Sequence, residues 1–117
     1  MKSERTESYS TKLGKTLRPV FEKYGILQAI LFGSCARGDD TRRSDVDLLL
    51  IQQTDKRFLD RYEGILSEIS ACVPGRDVDV LIYTPPELAQ MSQRTMVATA
   101  LREGVILYES AQESSSS

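Results

Sequence analysis

The chain has 117 residues, 40% of them apolar and 27% charged, enough for one domain that buries roughly 65% of its unfolded surface around a single core. Fifteen basic against seventeen acidic residues leave a net charge of −2, which argues against gripping nucleic acid through a broad basic surface. There is no histidine, so His-ligated zinc, Ser-His triads and imidazole acid–base chemistry are excluded, and catalysis would have to run on carboxylates, arginines, hydroxyls and metal.

In chain order, residues 1–10 are polar and without apolar period, so a frayed start is expected. From Thr11 onward Leu13, Leu17, Val20, Phe21 and Tyr24 share one helical face, and Gly25 is placed to end the helix. Pro19 falls inside that pattern and predicts a kink or a late start. Ile26 to Phe32 reads as a strand that runs into Gly33-Ser34, followed by a short helix over about Ser34 to Gly38 and a polar loop from Asp39 to Arg43. Ser44 leads into a second strand, Asp45 to Gln52, whose apolar run is broken only by Asp47 and so predicts a central position covered on both faces.

Thr54 or Asp55 is expected to cap a helix buried through Phe58, Leu59, Tyr62, Ile65, Leu66, Ile69 and Val73, stopped by Pro74-Gly75. Asp77 to Tyr83 is a third strand. Thr84-Pro85-Pro86-Glu87 has the form of a capping box. A helix with Leu88 and Met91 follows, then one with Met96, Val97, Ala100 and Leu101 closed by Gly104, and a short strand from Val105 to Tyr108. The Ser-rich residues 110–117 read as a disordered tail. The order of elements predicts an α/β (α+β) fold, one mixed sheet packed by helices, in a single domain over residues 1–109.

No stretch is long and apolar enough to span a membrane, and Met1-Lys2-Ser3-Glu4 opens no apolar signal region, so a cytoplasmic protein with reduced Cys35 and Cys72 is expected.

The chemistry concentrates between Leu31 and Ile51. Asp45 and Asp47 lie on the same face of a strand, about 7 Å apart along the chain, while Val46 and Leu48 point the other way. Two neighbouring acids repel, and a cation between them relieves it; hard oxygen ligands suit Mg²⁺ or Mn²⁺. Upstream, Gly33 allows a sharp turn and close backbone approach, and backbone N–H groups at Ser34 offer a phosphate site. Asp77 and Asp79 share a face of the third strand. Of the two, Asp79 is the better candidate for a third ligand, because an unpaired acid between Val78 and Val80 otherwise lacks an account, whereas Asp77 suits a solvated strand entrance.

Gly33-Ser34, then Ala36-Arg37-Gly38, then Ser44-Asp45-x-Asp47-Leu48 resembles the signature of the minimal nucleotidyltransferases of the DNA polymerase beta superfamily. The resemblance implies a polymerase-beta-like fold and a third carboxylate on a later strand, which falls on Asp79. It implies that Asp45, Asp47 and Asp79 are catalytic and hold two Mg²⁺ ions, with Mn²⁺ as a substitute, and that Gly33, Ser34, Arg37 and Ser44 bind nucleotide. Arg37 suits charge on departing pyrophosphate, or equally bracing of the loop through Asp39 or Asp40. For a stand-alone domain the resemblance further implies an antitoxin that transfers AMP from ATP to a tyrosine of a HEPN-type ribonuclease toxin. Restraint of the toxin by stoichiometric binding, and transfer to a small molecule or RNA end, are the alternatives. Homo-oligomers are compatible with all three.

Overall fold

A computed structural model describes residues 9–37, 45–91 and 93–110, without the side chains of Arg37, Thr95 and Met96. The elements in order are α1 (Tyr9–Lys23), β1 (Ile26–Phe32), α2 (Ser34–Arg37), β2 (Val46–Gln52), a 3₁₀ turn (Leu59–Tyr62), α3 (Ile65–Cys72), β3 (Val78–Tyr83), α4 (Pro85–Met91), α5 (Thr95–Glu103) and β4 (Val105–Glu109). They build an α+β fold around one mixed sheet of order β3-β2-β1-β4. β1 runs antiparallel to both β2 and β4, while β2 and β3 run parallel.

The interior place of β2 follows from its composition: Val46, Leu48, Leu49, Leu50 and Ile51 are all buried, as a strand covered on both faces requires. One face packs Val46, Leu48 and Leu50 against Leu13, Leu17 and Phe21 of α1 and Ile65 and Ile69 of α3. On the other face Ile30 and Leu49 pack with Ala100 of α5, bordered by Phe32, Leu81, Tyr83 and Leu88. By strand alternation Asp47 belongs to this second face.

α1 begins at Tyr9, earlier than its sequence pattern suggested, and continues through Pro19. Its end is tied to α3, where Glu68 accepts from Lys23 Nζ at 2.7 Å and from Tyr24 Oη at 2.6 Å. The capping box at Thr84 forms as expected: Thr84 N–H donates to Glu87 Oε1 at 3.0 Å, and Glu87 N–H donates to Thr84 Oγ1 at 3.4 Å. Glu87 also receives a two-pronged ion pair from Arg61, at 2.6 and 2.9 Å.

The expected helix through Phe58 and Val73 is broken in two. Gly64 takes φ +82°, outside helical geometry, and separates the 3₁₀ turn from α3. A helical stripe therefore does not continue across it: Phe58, Leu59 and Leu66 are exposed, Leu59 by 78%. Thr54 does not cap a helix; its Oγ1 accepts from Lys56 N–H at 3.1 Å in a local turn. Leu101, expected inside, is 42% exposed, whereas Val97 and Ala100 are buried. The expectations for residues 1–8, Gly38, the loop at 39–43, Ser44, the Met96 side chain and the tail beyond Ser110 lie outside the described residues.

Candidate active site

β1 ends at Phe32, and Gly33 then turns the chain with φ +78°. α2 follows at once from Ser34, with Ala36 N–H donating to the Gly33 carbonyl at 3.1 Å. Phe32 is the register partner of Asp47 across the antiparallel pair, so the turn lies directly over the Asp47 carboxylate. A Cβ placed at Gly33 would collide with Asp47 Oδ2. Glycine is thus required here twice, by the left-handed backbone and by the neighbouring carboxylate.

On the opposite side of β2 the partner of Asp47 is Asp79 of β3. Alternation along both strands puts the two carboxylates on one face. They approach closely enough to share a hydrogen bond, and Asp47 is raised above the ordinary carboxylate range by burial first, then by the charges of Asp79 and Asp45, then by that hydrogen bond. Asp45 stands one residue outside β2 and is exposed; its charge reaches Asp47, but the three carboxylates do not close into a ready cage. Among the described residues no group of three acidic, thiol or imidazole side chains does. Asp77 serves the strand entrance through its carbonyl, which accepts from Val46 N–H at 2.9 Å.

The two facing acids open onto a cleft of about 390 Å³ lined by Phe32, Asp47, Asp79, Val80 and Leu81. Such a pair in a partly apolar cleft suits a divalent ion that takes its remaining ligands from substrate phosphates and water, as Mg²⁺ characteristically does. Residues 15–113 match the family described as polymerase beta, nucleotidyltransferase. The chain belongs to that family.

Among relatives, the chain is similar to two proteins of Methanocaldococcus jannaschii named as candidate protein adenylyltransferases. One is 34% identical over 74 residues, covering 62% of this chain and 75% of that protein. The other is 29% identical over 102 residues, covering 83% and 69%. Solved structures share the fold: a toxin–antitoxin complex with AMP-PNP (TM-score 0.61, 18% identity, 87% of this chain and 77% of that one), and a candidate minimal nucleotidyltransferase (0.59, 23%, 79% and 86%). A third is the complex of tri-AMPylated Shewanella oneidensis HEPN toxin with MNT antitoxin (0.55, 14%, 91% and 77%).

Of the residues singled out in the sequence, the structure brings together Gly33, Asp47 and Asp79, with Asp45 beside them and Ser34 opening α2. Ser44 and the Arg37 side chain lie outside the described residues. Three neighbours were not anticipated. Phe32 and Leu81 wall the cleft, which their place in apolar runs disguised as core. Arg76 reaches Cys35 of α2 from the turn before β3, and nothing in its local sequence marks it.

Proposed function

We propose that this nucleotidyltransferase moves AMP from ATP onto a hydroxyl of a polypeptide, a tyrosine of a HEPN-type ribonuclease toxin, and acts thereby as an antitoxin. The observation that carries the reading is the register pair Asp47–Asp79, two carboxylates forced together across parallel strands beneath the Gly33 turn. The names of the relatives favour a polypeptide acceptor, and the AMPylated toxin complex among the structural neighbours favours a toxin as that polypeptide.

Asp45, Asp47 and Asp79 would hold Mg²⁺, for which Mn²⁺ is a substitute. The fit rests on the donor set, hard carboxylate oxygens among which burial first, and then the charges of Asp79 and Asp45, raise the Asp47 carboxyl, a penalty that a cation offsets. When bound, the ion supplies charge neutralisation for the triphosphate and acidifies a hydroxyl in its reach. Gly33 N–H and Ser34 bind phosphate oxygens of ATP, joined by Ser44, and Arg37 balances charge that develops on the leaving pyrophosphate. The acceptor oxygen attacks the α-phosphorus, the bond from that phosphorus to the bridging oxygen of pyrophosphate breaks, and the acceptor proton passes to the carboxylate of Asp79. Phe32 and Leu81 exclude water from one wall of the cleft.

The test is mass spectrometry of a HEPN-type partner after incubation with ATP and Mg²⁺. Gain of AMP units on a tyrosine, lost with Asp79→Asn, is expected. A partner that is inhibited yet unmodified would replace transfer with stoichiometric binding, and modification of an RNA end or a small molecule would replace the acceptor.

A further inference from the structure

Arg76 sits half-buried in the turn between α3 and β3. Its Nη1 donates to Cys35 Sγ at 3.2 Å, and the Cys35 thiol donates to the backbone carbonyl of Asp45 at 3.5 Å. The guanidinium carbon is also 4.7 Å from the centre of the Tyr9 ring on α1, a stacking contact that fixes the plane of the fork. Cys35 is only 8% exposed, so the thiol end of the link is shielded from water. One residue past Arg76, the Asp77 carbonyl holds the first amide of β2.

Three segments of the site thus meet at the Cys35 side chain: α2 immediately after the Gly33-Ser34 turn, Asp45 just before β2, and the turn that launches the strand of Asp79. The core does not require this arrangement. Cys35 packs among apolar residues and as a small hydrophobe needs no charged partner, whereas an arginine after a Pro-Gly turn ordinarily extends into solvent. What the contact does is hold α2 at a set distance from the carboxylate-bearing strand ends.

We propose that Arg76 is a positioning residue for nucleotidyl transfer, which acts through Cys35 to fix the Gly33-Ser34 turn against Asp45 and so sets where the triphosphate lies. The inference rests on the reading of Gly33 and Ser34 as triphosphate-binding residues.

The experiment measures dissociation constants for MgATP and for AMP by calorimetry, with thermal melts alongside, in the wild type, Arg76→Ala, Arg76→Lys, Cys35→Ala and Ser34→Ala. Arg76→Ala is expected to weaken MgATP roughly tenfold while AMP changes by less than about twofold, and Arg76→Lys to recover part of the loss. Should Arg76→Ala fail to fold, Cys35→Ala carries the same expectation. Equal loss for MgATP and AMP would make Arg76 merely structural and overturn the proposal. Unchanged MgATP affinity in the Arg76 and Cys35 variants, with Ser34→Ala weakened, would overturn it while leaving the triphosphate site intact. Unchanged affinity in all of them, Ser34→Ala included, would remove the triphosphate reading and the proposal together.

Discussion

Replacing Gly33 by alanine separates the two demands made on that residue. Its backbone lies at φ +78°, where an L side chain costs about 1–2 kcal/mol. The new Cβ would also overlap Asp47 Oδ2, with Cγ 3.4 Å and Cβ 3.7 Å away, so the carboxylate must leave its rotamer at a further cost of about 0.5–1.5 kcal/mol. The total of about 1.5–3.5 kcal/mol corresponds to a melting temperature lower by roughly 6–14 °C for a domain of this size. Activity is expected to fall further than stability does, by about 10²-fold or more, because the displaced carboxylate no longer faces Asp79. Denaturant titration of Gly33→Ala, Asp47→Ala and the double variant isolates the contact. Without the Asp47 carboxylate only the backbone term of about 1–2 kcal/mol should remain. A Gly33→Ala cost that is the same in both backgrounds, or wild-type AMP transfer by Gly33→Ala, would refute the argument that glycine is kept here for close approach to the carboxylate.

Asp47→Asn is expected to stabilise the metal-free protein slightly while abolishing transfer, since it removes a carboxyl that burial first, and then the charges of Asp79 and Asp45, raise. Thermal melts check this, and added Mg²⁺ should raise the melting temperature of the wild type but not of the variant. Glu87→Gln should cost about 2 kcal/mol in urea titrations, because it leaves the buried Arg61 guanidinium without its ion pair. The Glu87 carboxyl is held down to about 2 from 4.5, chiefly by Arg61; its contribution is full above 4.5 and is lost as pH falls from there toward 2, so the pH dependence of stability in that window should be shallower in Glu87→Gln. Leu59→Ser, at a residue 78% exposed, should change stability by less than about 0.5 kcal/mol. Ile69→Ala, in the core, should cost about 3 kcal/mol.

The strands were readable in the sequence because each is an apolar run between turn residues, and the run through Val46 to Ile51 announced an interior strand. The capping box at Thr84 was equally plain, since its chemistry is local. The helix across residues 58–73 misled for a definite reason: its period looks continuous, but Gly64 adopts a left-handed backbone that no count of apolar positions reveals. Phe58, Leu59 and Leu66 were misplaced with it. Asp47 could be nominated from its apolar surroundings, whereas Asp79 is exposed on the edge strand β3, where an acid needs no special account, so that only the resemblance singles it out; the direct opposition of the two depends on the register of two parallel strands far apart in the chain, which spacing does not encode. The part played by Arg76 was hidden for the same reason, as Cys35 is 41 residues away.

The central claim is that β2 and β3 carry a site which transfers the α-phosphoryl portion of ATP. It is met most directly by parallel incubations of the protein and its polypeptide acceptor with ATP labelled at the α- or the γ-phosphorus. Retention of the α-label on the acceptor, release of the γ-label with pyrophosphate, and loss of both in Asp47→Asn is the expected result. Transfer of the γ-label, or undiminished transfer by Asp47→Asn, would contradict the account.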